Sequence, residues 1–280
     1  MNYYRITPTE NLQPFIRNYA YVNGDGVADY HQRVLPSGCL GLLFFRRSPL
    51  IYVDDNGVTY RNHAVIHGIY NKYIDVCPYN VEMIGVYFQP FGARLFFDFP
   101  ITELKGTGVT PTDLGDKELM QLEEDIMTAP DIFKCVNLLD EFFLKRIARI
   151  NHNEYSLKRV KHVLAQCLAP GELMTVQEMA DAACLSPRQF SRVFGDFTGF
   201  SPKSFLRIVR FQKALSALKD KNRILSNKKD DEMKLIDVAW ENGYYDLSHM
   251  NSDFMQLSGS SPKKILERMT MLRDLSDTLL

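Results

Sequence analysis

Three polar side chains on one predicted helix have the chemistry to recognise the edges of base pairs. Arg188, Ser191 and Arg192 fall on one face of this helix. Phe190 and Phe194, four residues apart, form the opposite, apolar face. An α-helix fits the major groove of B-DNA, and an arginine there can donate two hydrogen bonds to O6 and N7 of one guanine. The alternative is that these side chains are ordinary solvated surface groups.

The segment that carries this face, residues 176–206, occurs a second time further along the sequence. The offset is 59 residues between Ala180 and Ala239 (239 − 180) and 60 residues between Gly199 and Gly259 (259 − 199). One residue has therefore been added to the turn of the second copy. Two related units of this size predict a tandem structural repeat.

Each copy has the pattern of a short helix, a tight turn and a second helix. In the first copy Ser186 is the predicted N-cap, and Pro187 takes the first helical position, where its missing N–H costs nothing. In the second copy Asp246 takes the cap, and Gly243 lies in the turn, where it adopts a positive φ easily. This arrangement is the helix-turn-helix pattern. The second reading face is predicted to consist of Ser248, His249, Asn251 and Ser252.

The duplicated region resembles the C-terminal DNA-binding domain of AraC-type transcription regulators. The resemblance covers roughly residues 157–268 and rests on many matches that occur in order. The matches are Met179-Ala180, Ser186 to Phe194, Gly199-Phe200-Ser201-Pro202, Arg210, Ala214, Ile236 to Ala239, Gly243-Tyr244, Phe254 and Gly259 to Pro262. The resemblance implies an all-α domain of two helix-turn-helix units that binds double-stranded DNA and regulates transcription.

The resemblance also implies how the two units approach DNA. A linker helix, here roughly Lys203 to Leu218, holds them rigidly, so that both reading helices enter successive major grooves about 34 Å apart. Basic side chains of this helix and of the segment after the second unit are expected to contact phosphates. They are Lys203, Arg207, Arg210, Lys263 and Lys264.

The sequence departs from the family pattern in two places. The polar run Asp220 to Met233 contains extra residues and is predicted to be a surface loop. Ser252 stands where the family commonly has an arginine, and the neighbouring Asp253 is expected to face or flank phosphate and to oppose binding. The second reading helix is therefore expected either to contact bases through Asn251 and His249 or mainly to position the protein.

Residues 1–110 have the pattern of a β-rich domain. Short apolar segments alternate with turn formers, and Asn56-Gly57 is a hairpin signal. Many short strands at this spacing predict a small barrel or sandwich of the cupin-like kind. Leu12 to Tyr19 is predicted to be a short helix. Leu35 to Leu40 and Gly85 to Ala93 resemble the N-terminal sensory domains of one branch of the AraC-type regulators, which implies that a small-molecule effector binds here.

Residues 115–150 are predicted to be a helical appendage of the β-rich domain. Its main apolar stripe, in which successive members are three or four residues apart, consists of Ile132, Val136, Leu139, Phe143 and Ile147. Neighbouring apolar side chains widen this stripe beyond the usual third of a helix surface. A wide apolar face needs two partners, which predicts packing on the β-rich domain and on a second protomer in a homodimer. The alternative is a helix sunk deep in its own domain.

Length and charge fit two domains with separate roles in an α+β chain. Residues 155–280 contain 19 Lys and Arg against 15 Asp and Glu, a net charge of +4, whereas residues 1–154 contain the other 14 and 19, a net charge of −5. The basic half is the one with the duplicated units, as phosphate binding requires. We expect a sensory and dimerisation domain at 1–150, a linker at 151–156 and a DNA-binding domain at 157–270.

The sequence contains no pattern that points to export or to a membrane. The five cysteines show no paired spacing, no signal-peptide pattern is present, and no stretch approaches the roughly 20 apolar residues of a membrane span. These features predict a cytoplasmic protein without membrane contact and without a cofactor.

Two other classes of function remain open. The N-terminal half could be a metal-dependent β-barrel enzyme, because His63 and His67 share one face of a strand, with Glu82 and His31 elsewhere. The H-x-H metal pattern and any nucleophile–base arrangement are missing, so no catalytic or metal-binding residue is assigned. The helical half could instead be an adaptor that binds a protein such as RNA polymerase.

Overall fold

The computed structural model describes residues 2–24, 32–53, 59–67, 69–76, 80–97, 99, 101–104, 108–149, 155–169, 173–224 and 231–265. An N-terminal antiparallel sheet is followed by helices that fill the C-terminal half, which confirms the α+β class. None of the helices in these ranges combines the length and the apolar composition that a membrane crossing requires.

The N-terminal half contains one five-stranded antiparallel sheet and two two-stranded ribbons. The strands are β1 (Asn2–Ile6), β2 (Ile16–Gly24), β3 (Gln32–Val34), β4 (Gly41–Phe45), β5 (Leu50–Val53), β6 (Thr59–Asn62), β7 (Ala64–His67), β8 (Ile74–Val76) and β9 (Val81–Phe88). The large sheet has the order β1-β2-β9-β4-β7, while β3 pairs with β8 and β5 with β6. Over the described residues β1 and β7 are sheet edges, so the predicted barrel is not closed.

The start of the sheet corrects one local prediction. A 3-10 helix covers Glu10–Leu12, so Leu12 alone of the expected helix is helical, and the chain enters β2 at Ile16. Tyr19 pairs with Val86 of β9, and its buried hydroxyl donates a hydrogen bond to Oδ1 of Asp140 at 2.7 Å. Pairing with distant strands therefore overrides the local helical pattern.

Helices cover the sheet and complete its core. They are α1 (Ala93–Phe96), the 3-10 helix Ile101–Leu104, α2 (Pro111–Leu114), α3 (Lys117–Thr128) and α4 (Ile132–Ile147). Phe143 of α4 packs on Phe88 and Phe96, with ring centroids 5.6 Å and 4.8 Å apart. Asp116 and Asp131 cap α3 and α4 by accepting hydrogen bonds from backbone N–H groups of the first turn.

This packing corrects part of the predicted dimer stripe. Leu139 and Phe143 are fully buried inside the protomer, so they cannot contact a second protomer. Ile132, Val136 and Ile147 are only half-buried. Any dimer face on α4 must therefore lie to the side of the predicted stripe.

The C-terminal half consists of six helices in the described ranges. They are α5 (Tyr155–Leu168), α6 (Val176–Ala182), α7 (Pro187–Thr198), α8 (Pro202–Ile224), α9 (Asp231–Glu241) and α10 (Leu247–Ser258). The pairs α6–α7 and α9–α10 are the two helix-turn-helix units, and α8 is the linker helix between them. Two phenylalanines of α8 pack on the two units. Phe205 packs on Phe194 of α7, and Phe211 packs on Phe254 of α10.

Two predicted connections differ from the structure or lie outside it. The expected surface loop from residue 220 to residue 233 is helical at both ends, because α8 continues to Ile224 and α9 begins at Asp231. Residues 225–230 between them lie outside the described residues. The same holds for residues 151–154 of the predicted domain linker, and α5 begins at Tyr155.

Candidate nucleic-acid interface

The first reading face lies on the outside of α7. Arg188, Ser191 and Arg192 are exposed. Phe190 and Phe194 on the opposite side are fully buried, with ring centroids 5.3 Å apart. The helix is therefore anchored by its apolar side and presents two guanidinium groups outward, where base edges in a major groove can be reached.

The second reading face lies at the equivalent positions of α10 and has different chemistry. Ser248, His249 and Ser252 are exposed, and Asn251 is half-buried. These side chains are short and carry no fixed positive charge. The second unit therefore offers hydrogen-bonding groups where the first offers arginines.

His249 also helps to begin the helix that carries it. Its backbone N–H donates a hydrogen bond to Oδ1 of the N-cap residue Asp246 at 2.7 Å, and its Nδ1 accepts one from the N–H of Tyr245 at 3.4 Å. The imidazole ring stands edge-on to the ring of Tyr244, with centroids 5.2 Å apart. Since Nδ1 accepts the hydrogen bond from Tyr245, Nε2 is the ring nitrogen that remains for a contact outside the helix.

Asp253 lies on the inner side of α10, not beside the reading face. It is 6% exposed, and its Oδ1 accepts a hydrogen bond from Nε of Arg207 at 2.7 Å. The residue comes three positions after Met250 and four before Leu257, both buried, so helical spacing places it on the inner face. The expectation that Asp253 faces phosphate and opposes binding is therefore wrong.

The predicted phosphate contacts divide into two groups. Arg207 is half-buried and is bonded to α10 by Asp253 and by Oε1 of Gln256, which accepts from Nη2 at 2.7 Å. Arg210 has a buried Nε, and its guanidinium carbon lies 5.4 Å from the ring centre of Tyr244. Both arginines thus join α8 to the second unit. The lysines of the set are exposed, and they are Lys203, Lys263 and Lys264.

The turns of the two units are equivalent in backbone geometry. Cys184 in the first turn and Gly243 in the second have φ values of +52° and +72°. The N–H of the next residue donates to the carbonyl of Ala180 at 3.0 Å in the first unit and of Ala239 at 2.9 Å in the second. Leu185 and Tyr244, the donors of this bond, are 59 residues apart, whereas the N-caps Ser186 and Asp246 are 60 apart. The added residue is therefore Tyr245, which is 87% exposed.

We expect Cys184→Gly to stabilise the protein by up to about 1 kcal/mol, because a side chain in the left-handed region costs about 1–2 kcal/mol and the flexibility of glycine offsets part of the gain. Cys184 is exposed, so little packing is lost. Urea denaturation measures the effect. Cys184→Ala keeps the Cβ and is the matched control; an equal change in both variants would refute the explanation from backbone strain.

The duplication extends to the last turn of each reading helix. The hydroxyl of Thr198 donates to the carbonyl of Phe194 at 2.8 Å, and the hydroxyl of Ser258 donates to the carbonyl of Phe254 at 2.6 Å. The same hydroxyl oxygens then accept from the N–H two residues further on, at 3.2 Å and 3.3 Å. The two units therefore share a structural plan and differ mainly on their reading faces and inner sides.

Comparison with known families agrees with this plan. Residues 179–268 match the family profile of a helix-turn-helix domain, which is of the AraC type. The chain carries an AraC-type DNA-binding domain. Residues 4–110 match a domain of unknown function (DUF6597). The chain thus combines an N-terminal DUF6597 domain with a C-terminal AraC-type helix-turn-helix domain, as the resemblance implies. This combination supports a role in transcription regulation.

Solved structures similar to this chain include those of ToxT from Vibrio cholerae. One ToxT structure has 10% sequence identity and a TM-score of 0.43, and the match covers 97% of this chain and 98% of ToxT. A 1.65 Å structure has 13% identity and a TM-score of 0.40, with 98% of each chain covered. ToxT bound to an unsaturated fatty acid has 11% identity and a TM-score of 0.42, with 98% and 96% covered. No curated protein matches the sequence.

The C-terminal end of the first reading helix of the AraC-type domain touches the N-terminal half. Gly199 caps α7 with φ +74°. A Cβ at this position would overlap Cδ1 of Ile69 and would lie 2.9 Å from Cγ2 of Ile101. Ile69 and Ile101 of the N-terminal half therefore pack directly against the C-cap residue of this helix.

The second reading helix is held at the same end by a polar contact. Nη1 of Arg33, on β3, donates to the carbonyl of Ser258 at 3.0 Å, and its Nε and Nη2 donate to the carboxylate of Asp75, on β8, both at 2.7 Å. The guanidinium carbon also lies 3.7 Å from the ring centre of Tyr73. A cation at a helix C-terminus interacts favourably with the helix dipole. The hydrogen bonds to Asp75 raise the pKa of Arg33 above its usual value.

A third contact joins the N-terminal half to the linker helix. Nε2 of Gln212 donates to the carbonyl of Pro36 at 2.6 Å, and Gly38 lies against the ring of Phe205. These residues cannot be recognised as interface residues from local patterns, because each contact joins positions more than 100 residues apart. The motif from Leu35 to Leu40, assigned to a sensory domain, thus includes part of the domain contact.

His63, one of the possible metal ligands in the enzyme hypothesis, contacts the backbone. Nδ1 of His63 lies 2.8 Å from the carbonyl of Phe45, so the ring donates a hydrogen bond to the backbone. The side chain of His67 and the whole of His31 lie outside the described residues. Within the part of the chain that the structure describes, no three His, Cys, Asp or Glu side chains group as metal ligands do.

Proposed function

We propose that this regulator recognises specific DNA sequences by laying α7 and α10 in successive major grooves on one side of a duplex, and that it does so in the cytoplasm. The observation that carries the proposal is the pair of exposed polar faces at equivalent positions of the two units. Both units pack on α8 through buried aromatic pairs, so their separation is fixed by one rigid helix. Successive major grooves on one side of B-DNA are about 34 Å apart.

The two units are proposed to divide the work of recognition. Arg188 and Arg192 supply the bidentate donors that distinguish guanine, so the first unit contributes most of the sequence discrimination. In the second unit Asn251 and His249 can hydrogen-bond to bases, whereas Ser248 and Ser252 have shorter reach. Lys203, Lys263 and Lys264 are proposed to contact phosphates and to fix the register without selecting a sequence.

Selection of duplexes from a random pool, at a stated salt concentration, tests this proposal. The expected result is a consensus with two conserved segments separated by about 10 base pairs, with more information content in the segment read by the first unit. Salt is fixed because phosphate contacts dominate affinity and depend steeply on it. Failure to enrich any sequence, with the protein folded and binding DNA, would refute sequence-specific recognition.

The N-terminal domain is proposed to bind a small-molecule effector and to transmit its presence to the reading helices. Support comes from the contacts at Gly199 and Ser258, which place this domain on the C-terminal ends of both α7 and α10. An effector can shift the arrangement of the units only if it binds one arrangement more tightly than the other. A change in the N-terminal domain would then reach both reading helices through the same interface.

A homodimer through α4 is also proposed, on a face that is centred on Phe133 and keeps only Ile132 and Val136 of the predicted stripe. Phe133 is 77% exposed, and it is flanked by the half-buried Ile132 and Val136. An aromatic side chain of this size is typical of the centre of an interface.

We expect Phe133→Glu to raise the dimer dissociation constant at least tenfold, since losing a buried aromatic anchor costs about 2 kcal/mol and adds an unpaired charge. Light scattering over a range of concentrations measures the effect. Lys134→Glu, at an exposed position of the same helix, is the control and leaves the oligomeric state unchanged. A wild-type protein that is monomeric throughout, or a Phe133→Glu variant that dimerises normally, would contradict this assignment.

Contact with RNA polymerase is proposed for the case in which the regulator activates transcription. The rival hypothesis, that the helical half is a protein-binding adaptor with incidental DNA affinity, predicts no dependence of DNA selectivity on Arg192.

A further inference from the structure

A cluster of charged and polar side chains fills the space between the linker helix and the second helix-turn-helix unit. We call it the polar junction, and it consists of Arg207 and Arg210 from α8, Tyr244 from the turn and Asp253 from α10. Arg207 donates to Asp253 at 2.7 Å and to Gln256 at 2.7 Å, so one guanidinium is bonded to two positions on α10. Arg210 lies over the ring of Tyr244.

The polar junction also contains buried polar atoms that lack a hydrogen-bond partner. Among the described residues, four buried side-chain atoms have none: the hydroxyl of Tyr3, Nε of Arg210, the hydroxyl of Tyr244 and Oδ2 of Asp253. Three of the four belong to the polar junction. Burying such groups costs free energy, and native proteins tolerate this mainly where function requires it. Burial, with the charge of Asp253, also raises the pKa of Tyr244, so its hydroxyl stays protonated.

The first unit has no counterpart of the polar junction. Val193 stands on α7 where Asp253 stands on α10 (253 − 60 = 193), and Leu185 stands where Tyr244 stands (244 − 59 = 185). Both are half-buried apolar residues. An ordinary apolar contact therefore suffices to hold a unit of this plan on α8. The polar junction is a feature of the second unit alone, the one whose reading face lacks arginines.

The polar junction is directly connected to that reading face. Tyr244 touches the ring of His249, and Asp253 follows Ser252 in the chain. Short side chains such as Ser and Asn reach base edges only if the helix lies at the correct depth and angle. An arginine, with a longer and flexible side chain, tolerates a larger error in helix position.

We infer that the polar junction sets the position of α10 on the linker helix, and that Arg207, Tyr244 and Asp253 are thereby positioning residues for sequence recognition by the second unit. They contact no base in this account. Hydrogen bonds fix direction as well as distance, which apolar packing does not. The inference rests on the proposed function, because it presumes that the second unit reads part of the duplex.

The test compares two duplexes that differ in one segment. The first is the duplex that the wild-type protein selects from a random pool, and the second has only the segment read by the second unit scrambled. Affinities are measured at one salt concentration for wild type, Asp253→Asn and Arg207→Gln. Asp253→Asn removes a charge at nearly constant size, and Arg207→Gln removes the guanidinium that bonds both Asp253 and Gln256. Asp196→Asn, an equivalent change at an exposed position of α7, is the control.

We expect the ratio of the two affinities to fall about tenfold in Asp253→Asn, as for the loss of one charge-assisted hydrogen bond. In Arg207→Gln it falls by a similar factor, because the same hydrogen bond is lost, and in Asp196→Asn it stays at the wild-type value. Affinity for the scrambled duplex stays unchanged in all three, since the first unit and the phosphate contacts are intact. A purely structural role would weaken binding to both duplexes alike and leave the ratio unchanged.

Different failures have different meanings. If wild type binds both duplexes equally, the second unit does not read sequence, and both the proposed function of that unit and the polar junction's role are overturned. If wild type discriminates and both variants discriminate equally well, only the inference about the polar junction is overturned. Should Asp253→Asn fail to fold, Arg207→Gln decides, because Arg207 is only half-buried.

Discussion

Replacing Arg192 with alanine should abolish most of the preference of this regulator for its selected duplex. A bidentate arginine–guanine pair supplies about 1–3 kcal/mol of discrimination, which corresponds to a loss of roughly fivefold to 150-fold in relative affinity. Arg192 is exposed on α7 and supports no part of the core. The thermal unfolding temperature should therefore stay unchanged. Binding to the selected duplex and to one with the first segment scrambled measures the effect.

Lys203→Ala is the matched control for this prediction. Lys203 is exposed and is proposed to contact phosphate, so its loss should weaken binding to both duplexes by a similar factor and reduce the salt dependence. The contrast separates base recognition from charge. Unchanged discrimination in Arg192→Ala would remove the role assigned to this residue and would favour the adaptor hypothesis.

Gly199→Ala should destabilise the protein and disturb the contact between its two halves. A non-glycine residue in the left-handed region costs about 1–2 kcal/mol. At this position the added methyl group must also displace Ile69 or Ile101 of the N-terminal half. Since both side chains are buried, the free energy of unfolding should fall by clearly more than the cost of the backbone strain alone.

Gly115→Ala supplies the control that isolates the contact. Gly115 caps α2 with φ +62°, close to the φ of Gly199, and a Cβ built there meets no atom within 4 Å. Denaturant unfolding of the two variants compares the same backbone strain with and without the steric conflict. A larger loss of unfolding free energy in Gly199→Ala than in Gly115→Ala supports the packing of the N-terminal half against α7. Equal losses would show that Ile69 and Ile101 do not press on this helix.

The features that the sequence predicted well are those that depend on neighbours in the chain. The cap at Ser186, the proline after it and the apolar pair Phe190 and Phe194 are all local signals, and the structure places them as helical geometry requires. The duplication strengthened each signal, because a pattern that occurs twice is unlikely to be accidental. The exposed positions of Arg188 and Arg192 follow directly from this geometry.

The features that were missed depend on residues far apart in the chain. Asp253 was placed beside phosphate because Arg207, its partner 46 positions earlier, cannot be identified from local spacing. Attention to Met250 and Leu257 would have indicated its inner position. The burial of Phe143 likewise depends on Phe88 and on the order of strands in the sheet, which no local pattern specifies.

Two reading helices on one rigid linker helix are proposed to occupy successive grooves on the same side of a duplex. Hydroxyl-radical footprinting of the intact protein on its selected duplex shows directly whether they do. We expect two protected segments on one face of the DNA, with centres about 10 base pairs apart. A single protected segment, or two segments on opposite faces, would contradict this proposal.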